Sequence, residues 1–231
     1  MTPPGPLGLF GGTFDPVHYG HLRLAEEAAE ALGLESVRWI PSGNPGHRAT
    51  PCTPPAHRVA MVERAIAGNP RFQLDSAEAH SAAPGFTIDT LRRLRTELGP
   101  EWPLVFIIGT DQFVALDRWR DWQALFGLAH FAVGERSGYP IRTEALPPAL
   151  AAEYGQRYGK SGDLRASPSG RIVVFPMTRL AISASFIRGA IASGASVRYL
   201  LPPEVLAYIG QNRLYTGGIE RPSMDSGNGH S

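Results

Sequence analysis

The stretch Gly11-Gly12-Thr13-Phe14-Asp15-Pro16-Val17-His18-Tyr19-Gly20-His21 constrains this chain most, because it joins an apolar, strand-like run to an amphipathic helix. A strand that turns through glycines into a helix is a phosphate-binding geometry. The glycines admit a ligand close to the backbone, the first helical turn leaves amide donors unpaired, and the helix dipole favours negative charge there. His18 and His21, three residues apart on the incipient helix, share one face, so both rings reach consecutive phosphoryl groups of a single polyphosphate. The plainer alternative is a tight turn with incidental histidines. It needs the strand, the double glycine, the Phe-Asp-Pro turn and the His-x-Gly-His spacing to coincide by chance.

The rest of the chain alternates in the same way. Leu7 to Phe10 reads as a strand and Tyr19 to Leu32 as a helix, with Leu22, Leu24, Ala25, Ala28, Ala29 and Leu32 on its apolar face and Gly33 ending it. Strands follow at Val37 to Ile40, Phe72 to Leu74, Leu104 to Ile108, Phe131 to Val133 and Ile172 to Phe175, with helices at Ala56 to Ala67 and Thr87 to Leu98. Leu104 to Ile108 is apolar throughout, as a strand buried on both faces must be. The pattern predicts an α/β fold, a doubly wound parallel sheet with helices on both faces and ligands at the carboxyl ends of its strands. Residues 1–6 read as an extended leader, 7–215 as one domain, and 216–231 as a disordered Gly/Ser/Asn-rich tail. Two stretches break the rhythm: Pro41 to Pro55, with five prolines, reads as a loop over the site, and about 140–170 as a mobile insertion with a helix near Ala149 to Tyr158.

Composition narrows the partners. With 231 residues and 43% hydrophobic content the chain sustains one sizeable core. Its 22 basic against 21 acidic residues create no global field that would call for nucleic acid or an anionic membrane, so an anion must be held by local geometry. Cys52 is the single cysteine, which excludes an intramolecular disulfide and suits a reducing compartment; a cytoplasmic location is expected. No apolar run approaches the roughly 20 residues that span a bilayer. A homo-oligomer is left open.

A second grip follows the last strand. In Ile182-Ser183-Ala184-Ser185-Phe186-Ile187-Arg188, Ser183 suits a helix cap, Ser185 a phosphate oxygen, and Arg188 presents a planar fork that matches phosphate bidentately. A plain cap with a solvated arginine is the alternative. Gly109-Thr110-Asp111 closes the Leu104 to Ile108 strand, where a carboxylate either accepts from ribose hydroxyls or merely caps the next turn.

On these motifs the chain resembles the nucleotidyltransferases with a T/H-x-G-H signature, and among them the bacterial nicotinate mononucleotide adenylyltransferases, over about Leu7 to Tyr215. The resemblance implies a Rossmann-like fold. It also implies an ATP site at Gly11, Gly12, Thr13, Phe14, Gly109, Asp111, Ile182, Ser183 and Ser185, with Asp111 on the adenosine ribose and the segment around Ser185 on the β- and γ-phosphates. The mononucleotide falls by resemblance to His47, Phe86, Thr87, Trp119 and Arg136, with Trp119 stacking on the pyridine ring. Gly46, Phe86, Ser42 and Glu135 depart from the residues usual in the family, and Ser185 replaces threonine while keeping the hydroxyl.

The implied reaction transfers AMP from ATP to nicotinate mononucleotide. Its nucleophile is already an anion, so catalysis is alignment and charge neutralisation rather than general base action. His18 is assigned to the α-phosphate, and His21 and Arg188 to the leaving pyrophosphate. Mg2+ is expected to arrive on the triphosphate without a dedicated protein ligand. Other nucleotidyltransferases of this signature, acting on nicotinamide mononucleotide or phosphopantetheine, and a non-catalytic nucleotide sensor are the competing readings. Gly155 to Ser161 falls one residue short of a P-loop and lacks a preceding strand. His47, Cys52 and His57 match no zinc spacing.

Overall fold

Parallel strands buried on both faces require crossovers that lay helices on both sides, and the order of elements follows from that. A computed structural model describes residues 5–45, 51–81, 83–136 and 141–217, with 44, 45 and 136 described in their backbone alone. β1 (Leu7–Gly12) leads into α1 (Tyr19–Leu32), followed by β2 (Ser36–Pro41), a short β3 (Asn44–Pro45) and α2 (Pro55–Ile66). Next come β4 (Phe72–Leu74), β5 (Pro84–Gly85), α3 (Thr87–Leu98), β6 (Leu104–Gly109) and two single-turn helices, α4 (Thr110–Phe113) and α5 (Trp122–Leu125). β7 (His130–Arg136), α6 (Pro148–Arg157), β8 (Tyr158–Gly159), β9 (Ile172–Met177), α7 (Ala184–Ala192) and α8 (Pro203–Gln211) complete the domain.

Seven strands form one sheet in the order β4-β2-β1-β6-β7-β9-β8, and every neighbouring pair is parallel. From β1 the chain winds first to one side, through β2 and β4, and later to the other, through β6, β7 and β9. The winding reverses between β1 and β6, the position at which open α/β sheets bind ligands beyond their strand ends. One core packs Ala25, Ala28 and Leu32 of α1 with Met61 and Val62 of α2, Ile187 of α7 and Val205 and Ile209 of α8. The other, across the sheet, packs Ile88, Leu91 and Leu94 of α3 with Phe113, Leu125, Phe126 and Leu150.

The α/β doubly wound expectation is met, and all six predicted strands form. Three features were not foreseen. β8 adds a two-residue edge strand beside β9, β3 and β5 pair into a separate two-stranded ladder, and α8 closes the first core. Two residues carry no readable period, so β3, β5 and β8 left no signal. In the 140–170 segment the predicted helix is α6. Its Gly/Ser/Pro-rich part is tied to the core at several points. The buried His130 bonds Ser167 O at 2.8 Å through Nε2 and accepts the Arg171 amide at 3.0 Å on Nδ1, while Arg95 donates to Pro168 O at 2.7 Å. Gly155 to Ser161 runs from α6 through β8 into a short turn of 3-10 helix, with no strand before it, so no P-loop exists there. Residues 1–4 and 218–231, which include most of the expected leader and tail, lie outside the described residues.

Candidate active site

The His-x-Gly-His turn builds itself from local contacts. Phe14 takes the left-handed region at φ 50° and turns the chain off β1; His18 is extended at φ −149° and precedes the first turn of α1. The His18 amide donates to His21 Nδ1 at 3.3 Å, and the His18 carbonyl accepts the amides of His21 and Leu22. The two rings lie face to face with centroids 3.7 Å apart. Gly20 makes this possible, since a Cβ there would sit 3.0 Å from the His18 ring. Because Nδ1 of His21 is an acceptor, a neutral His21 carries its proton on Nε2 and offers an N–H to a ligand. His18 is 5% exposed, and its buried Nδ1 has no hydrogen-bond partner among the described residues.

Burial governs the charge of this pair. Desolvation pulls His18 down from 6.5 to about 4, and it holds His21 well below the usual imidazole range, with the His18 charge adding to the effect. Both rings are therefore neutral near pH 7 in the ligand-free protein. The unfolded chain protonates at about 6.5 and the folded His18 only near 4, so the unfolded state binds more protons between those values and stability is lost as pH is lowered through that range. At about 1.4 kcal/mol per unit, His18 alone removes on the order of 3 kcal/mol by pH 4. The melting temperature is expected to drop between pH 6.5 and 4 and to drop less in His18→Asn; parallel curves for the two proteins would refute the assignment.

The opposite end of the chain supplies the facing wall. Arg188, one turn into α7, donates through Nη1 to the Asp15 carbonyl at 2.7 Å. The buried Asp15 carboxylate is itself fixed: Tyr215 Oη donates to Oδ1 at 2.6 Å and the Cys52 amide to Oδ2 at 2.8 Å. His21 and Arg188 line one cleft of about 540 Å³ together with Gly11, Gly12, Thr13 and Phe14 from β1 and the turn after it, Gly109 at the end of β6, and Thr87 and Trp119. Its position is the carboxyl edge of β1 and β6. Arg188 and the turn that bears the histidines thus meet across the whole length of the domain.

The other expected residues fall into three groups. Ser183 caps α7 by accepting the Phe186 amide at 3.2 Å, and its hydroxyl lies 3.2 Å from that of Ser185; both are exposed beside the cleft rather than in its wall, and Ile182 is half-buried next to them. Asp111 is exposed at the start of α4, next to Gly109. Phe86, just ahead of Thr87, carries the Arg120 guanidinium 4.8 Å above its ring. His18 sits behind His21 instead of on the wall itself. His47 lies outside the described residues, and of Arg136 only its place at the end of β7 is described. His57 is engaged with Tyr208 Oη at 2.9 Å, and among the described residues no three His, Cys, Asp or Glu gather as metal ligands would.

Several wall residues escaped the sequence reading. Gln112, Glu78 and Thr90 line the cleft, and Asp15 anchors two distant segments rather than merely shaping a turn. Burial pushes the Glu78 carboxyl above its ordinary range, although Thr90 Oγ1 donates to it at 2.7 Å. Arg58 is wholly buried in the first turn of α2. That residue did leave a signal, because it occupies the same apolar stripe as Met61, Val62 and Ile66, where a charge needs a reason.

A cytidylyltransferase-like family model matches residues 9–190. A probable nicotinate-nucleotide adenylyltransferase of Dechloromonas aromatica is 52% identical over 211 residues, covering 91% of this chain and 97% of that relative. The chain belongs to the nicotinate-nucleotide adenylyltransferase family. A second probable nicotinate-nucleotide adenylyltransferase, from Marinobacter nauticus, is 44% identical over 207 residues and covers 90% of this chain and 95% of its own. The Plasmodium falciparum nicotinic acid mononucleotide adenylyltransferase, solved in complex with NaAD, matches 94% of this chain and all of its own with a TM-score of 0.71. At 19% identity that likeness is one of fold. Among the described residues no helix of this adenylyltransferase-family chain is long and apolar enough to cross a membrane.

Proposed function

We propose that the cleft transfers AMP from ATP to nicotinate mononucleotide, giving nicotinate adenine dinucleotide and pyrophosphate. A phosphate oxygen of the mononucleotide attacks the α-phosphorus, and the bond from that phosphorus to the α,β-bridging oxygen breaks with its electron pair on pyrophosphate. The observation that carries the reading is the convergence of His21 and Arg188 on one cleft at the winding reversal of the sheet. Neutral imidazole N–H and a guanidinium are donors to an anion, which suits a reaction whose charge builds on the bridging and leaving oxygens.

ATP fits along the turn after β1, its phosphates against Gly11, Gly12 and Thr13 and its leaving end between His21 and Arg188, with Asp111 near the ribose. Both Asp15 oxygens accept hydrogen bonds, from Tyr215 Oη and the Cys52 amide, which fixes the carboxylate beside the phosphate turn. Mg2+ fits here as a substrate-borne ion that neutralises triphosphate charge while keeping most of its water. The mononucleotide fits beside Thr87 and Trp119, whose indole stands edge-on to Phe106 at 6.1 Å and is half-buried.

Pyrophosphate release from ATP, measured in parallel with nicotinate mononucleotide, nicotinamide mononucleotide and phosphopantetheine, tests the reading. Release with the first and much less with the others is expected; a preference for phosphopantetheine, or release with none, would overturn it. Trp119→Ala is expected to raise KM for the mononucleotide about tenfold or more with a smaller change in kcat, because stacking is made in ground and transition states alike. An unchanged KM would take Trp119 out of the site.

A further inference from the structure

Arg58 has no role in the reaction outlined above, yet among the described residues it is the largest charged side chain wholly buried. Among the described residues no carboxylate is hydrogen-bonded to its guanidinium, and the Asp15 and Glu78 charges act on it only through space. Nη1 donates to Thr13 O at 2.7 Å, Nη2 to Gly43 O at 2.8 Å and Nε to Thr53 O at 3.1 Å. A buried cation held by neutral carbonyls is expensive, and an apolar residue would fill the space at less cost. What it provides is a rigid planar fork. Lysine, a single tetrahedral point of charge, does not reach three carbonyls in those directions.

Those three carbonyls are not neighbours in sequence. Thr13 belongs to the turn that receives the triphosphate, whereas Gly43 and Thr53 bracket the proline-rich stretch that contains His47. One guanidinium therefore ties both ends of that stretch to each other and to the ATP turn. Gly43 is held from its other side as well: its backbone amide interacts with the Glu78 carboxylate, which Thr90 also engages, and a Cβ on Gly43 would sit 2.4 Å from the Glu78 carbonyl oxygen. β3 begins one residue later and pairs with β5, whose Gly85 lines the cleft beside Thr87.

We propose that Arg58 is a positioning residue that sets the spacing between the two substrates by pinning the ATP turn and both ends of the 43–53 stretch on one guanidinium. The inference rests on the function proposed above. Alignment is its contribution: a displacement of about 1 Å at a reacting centre is enough to cost a hundredfold in rate, even when each substrate still binds.

The test uses the full chain with ATP and nicotinate mononucleotide. Arg58→Ala is expected to lower kcat about thirtyfold or more while the dissociation constant of ATP alone stays within about threefold, because β1 and α1 still shape the phosphate turn. Guanidinium ion at millimolar concentration is expected to restore at least about a tenth of the lost rate, a recovery that a global loss of packing would not show. Gly43→Ala leaves the guanidinium in place but displaces its acceptor, and is expected to reproduce the kcat loss without rescue. It carries the test if Arg58→Ala does not fold. Hydrogen exchange should rise together at residues 13–15, 43–45 and 51–53 and stay unchanged across β6 and β7. A folded variant with kcat within threefold of the parent, or with ATP binding lost in proportion to kcat, would overturn the proposal. A parent protein that makes no dinucleotide would instead sink the function, and the exchange pattern would then decide the clamp by itself.

Discussion

His21→Ala is expected to slow dinucleotide formation by about a hundredfold or more, with the fold and the melting temperature little changed. The loss is placed on turnover rather than on binding for a geometric reason. His21 Nδ1 is occupied by the His18 amide at 3.3 Å, so its ligand-side group is a single N–H on the far edge of the ring, in the wall that also bears Arg188. On the proposed reading, that N–H faces a phosphate oxygen of ground-state ATP before charge has built on it. In the transition state the bridging and leaving oxygens gain charge, and a donor fixed in place strengthens without reorganising. His21→Asn, which keeps a donor on a shorter arm, should recover part of the rate, and His21→Phe, which keeps only the packing against Phe14 at 5.1 Å, should recover none. If the alanine variant turns over at near-parental rate with saturating substrates, His21 is a packing residue and the phosphate assignment of the turn fails.

The neutral state of the histidine pair gives that expectation a second readout. In the ligand-free protein burial keeps both rings unprotonated well into the acid range. A triphosphate laid against them supplies the opposite charge they lack and raises both affinities for a proton. By linkage, ATP binding should take up protons increasingly as pH falls below neutral, measurable as a buffer-dependent binding enthalpy, and His18→Asn or His21→Ala should reduce that uptake.

Local periodicity carried most of the fold. Leu104 to Ile108 and the α1 stripe of Ala25, Ala28 and Leu32 repeat a pattern over enough residues to be read, and both occupy the core faces the pattern demands. β3, β5 and β8 are two residues long and exist because distant segments happen to lie beside them, so no local rule locates them. The site divides along the same line. The His-x-Gly-His turn is a property of adjacent residues, including the Gly20 that the ring stack requires, and it was legible. The pinning of Asp15 by Tyr215 and Cys52, or of Thr13, Gly43 and Thr53 by Arg58, joins residues up to 200 positions apart and appears only in three dimensions. Ser183 and Ser185 show a further limit. The motif places them correctly at the start of α7, but exposure beside the cleft, rather than in its wall, depends on how that helix tilts against the sheet.

Arg188 should prove at least as costly to remove as His21. Its Nη1 donates to the Asp15 carbonyl at 2.7 Å, which anchors the guanidinium in the wall of the cleft. Pyrophosphate departs carrying more negative charge than it held as part of ATP, and a planar fork matches two of its oxygens at once. Arg188→Ala is therefore expected to lower kcat by about a hundredfold to a thousandfold. Arg188→Lys, which keeps the charge but loses the fork and the anchored plane, should recover only a small part. Because Arg188 also holds the Asp15 backbone, a loss of rate by itself would not separate ligand contact from scaffolding. Product inhibition separates them. If the guanidinium binds the leaving group, pyrophosphate should inhibit the alanine variant at least about tenfold more weakly, while the Kd of the mononucleotide alone remains near the parental value. Equal weakening for both ligands would identify Arg188 as a scaffold for the Asp15 turn and leave the leaving group to His21 and the backbone amides that follow β1.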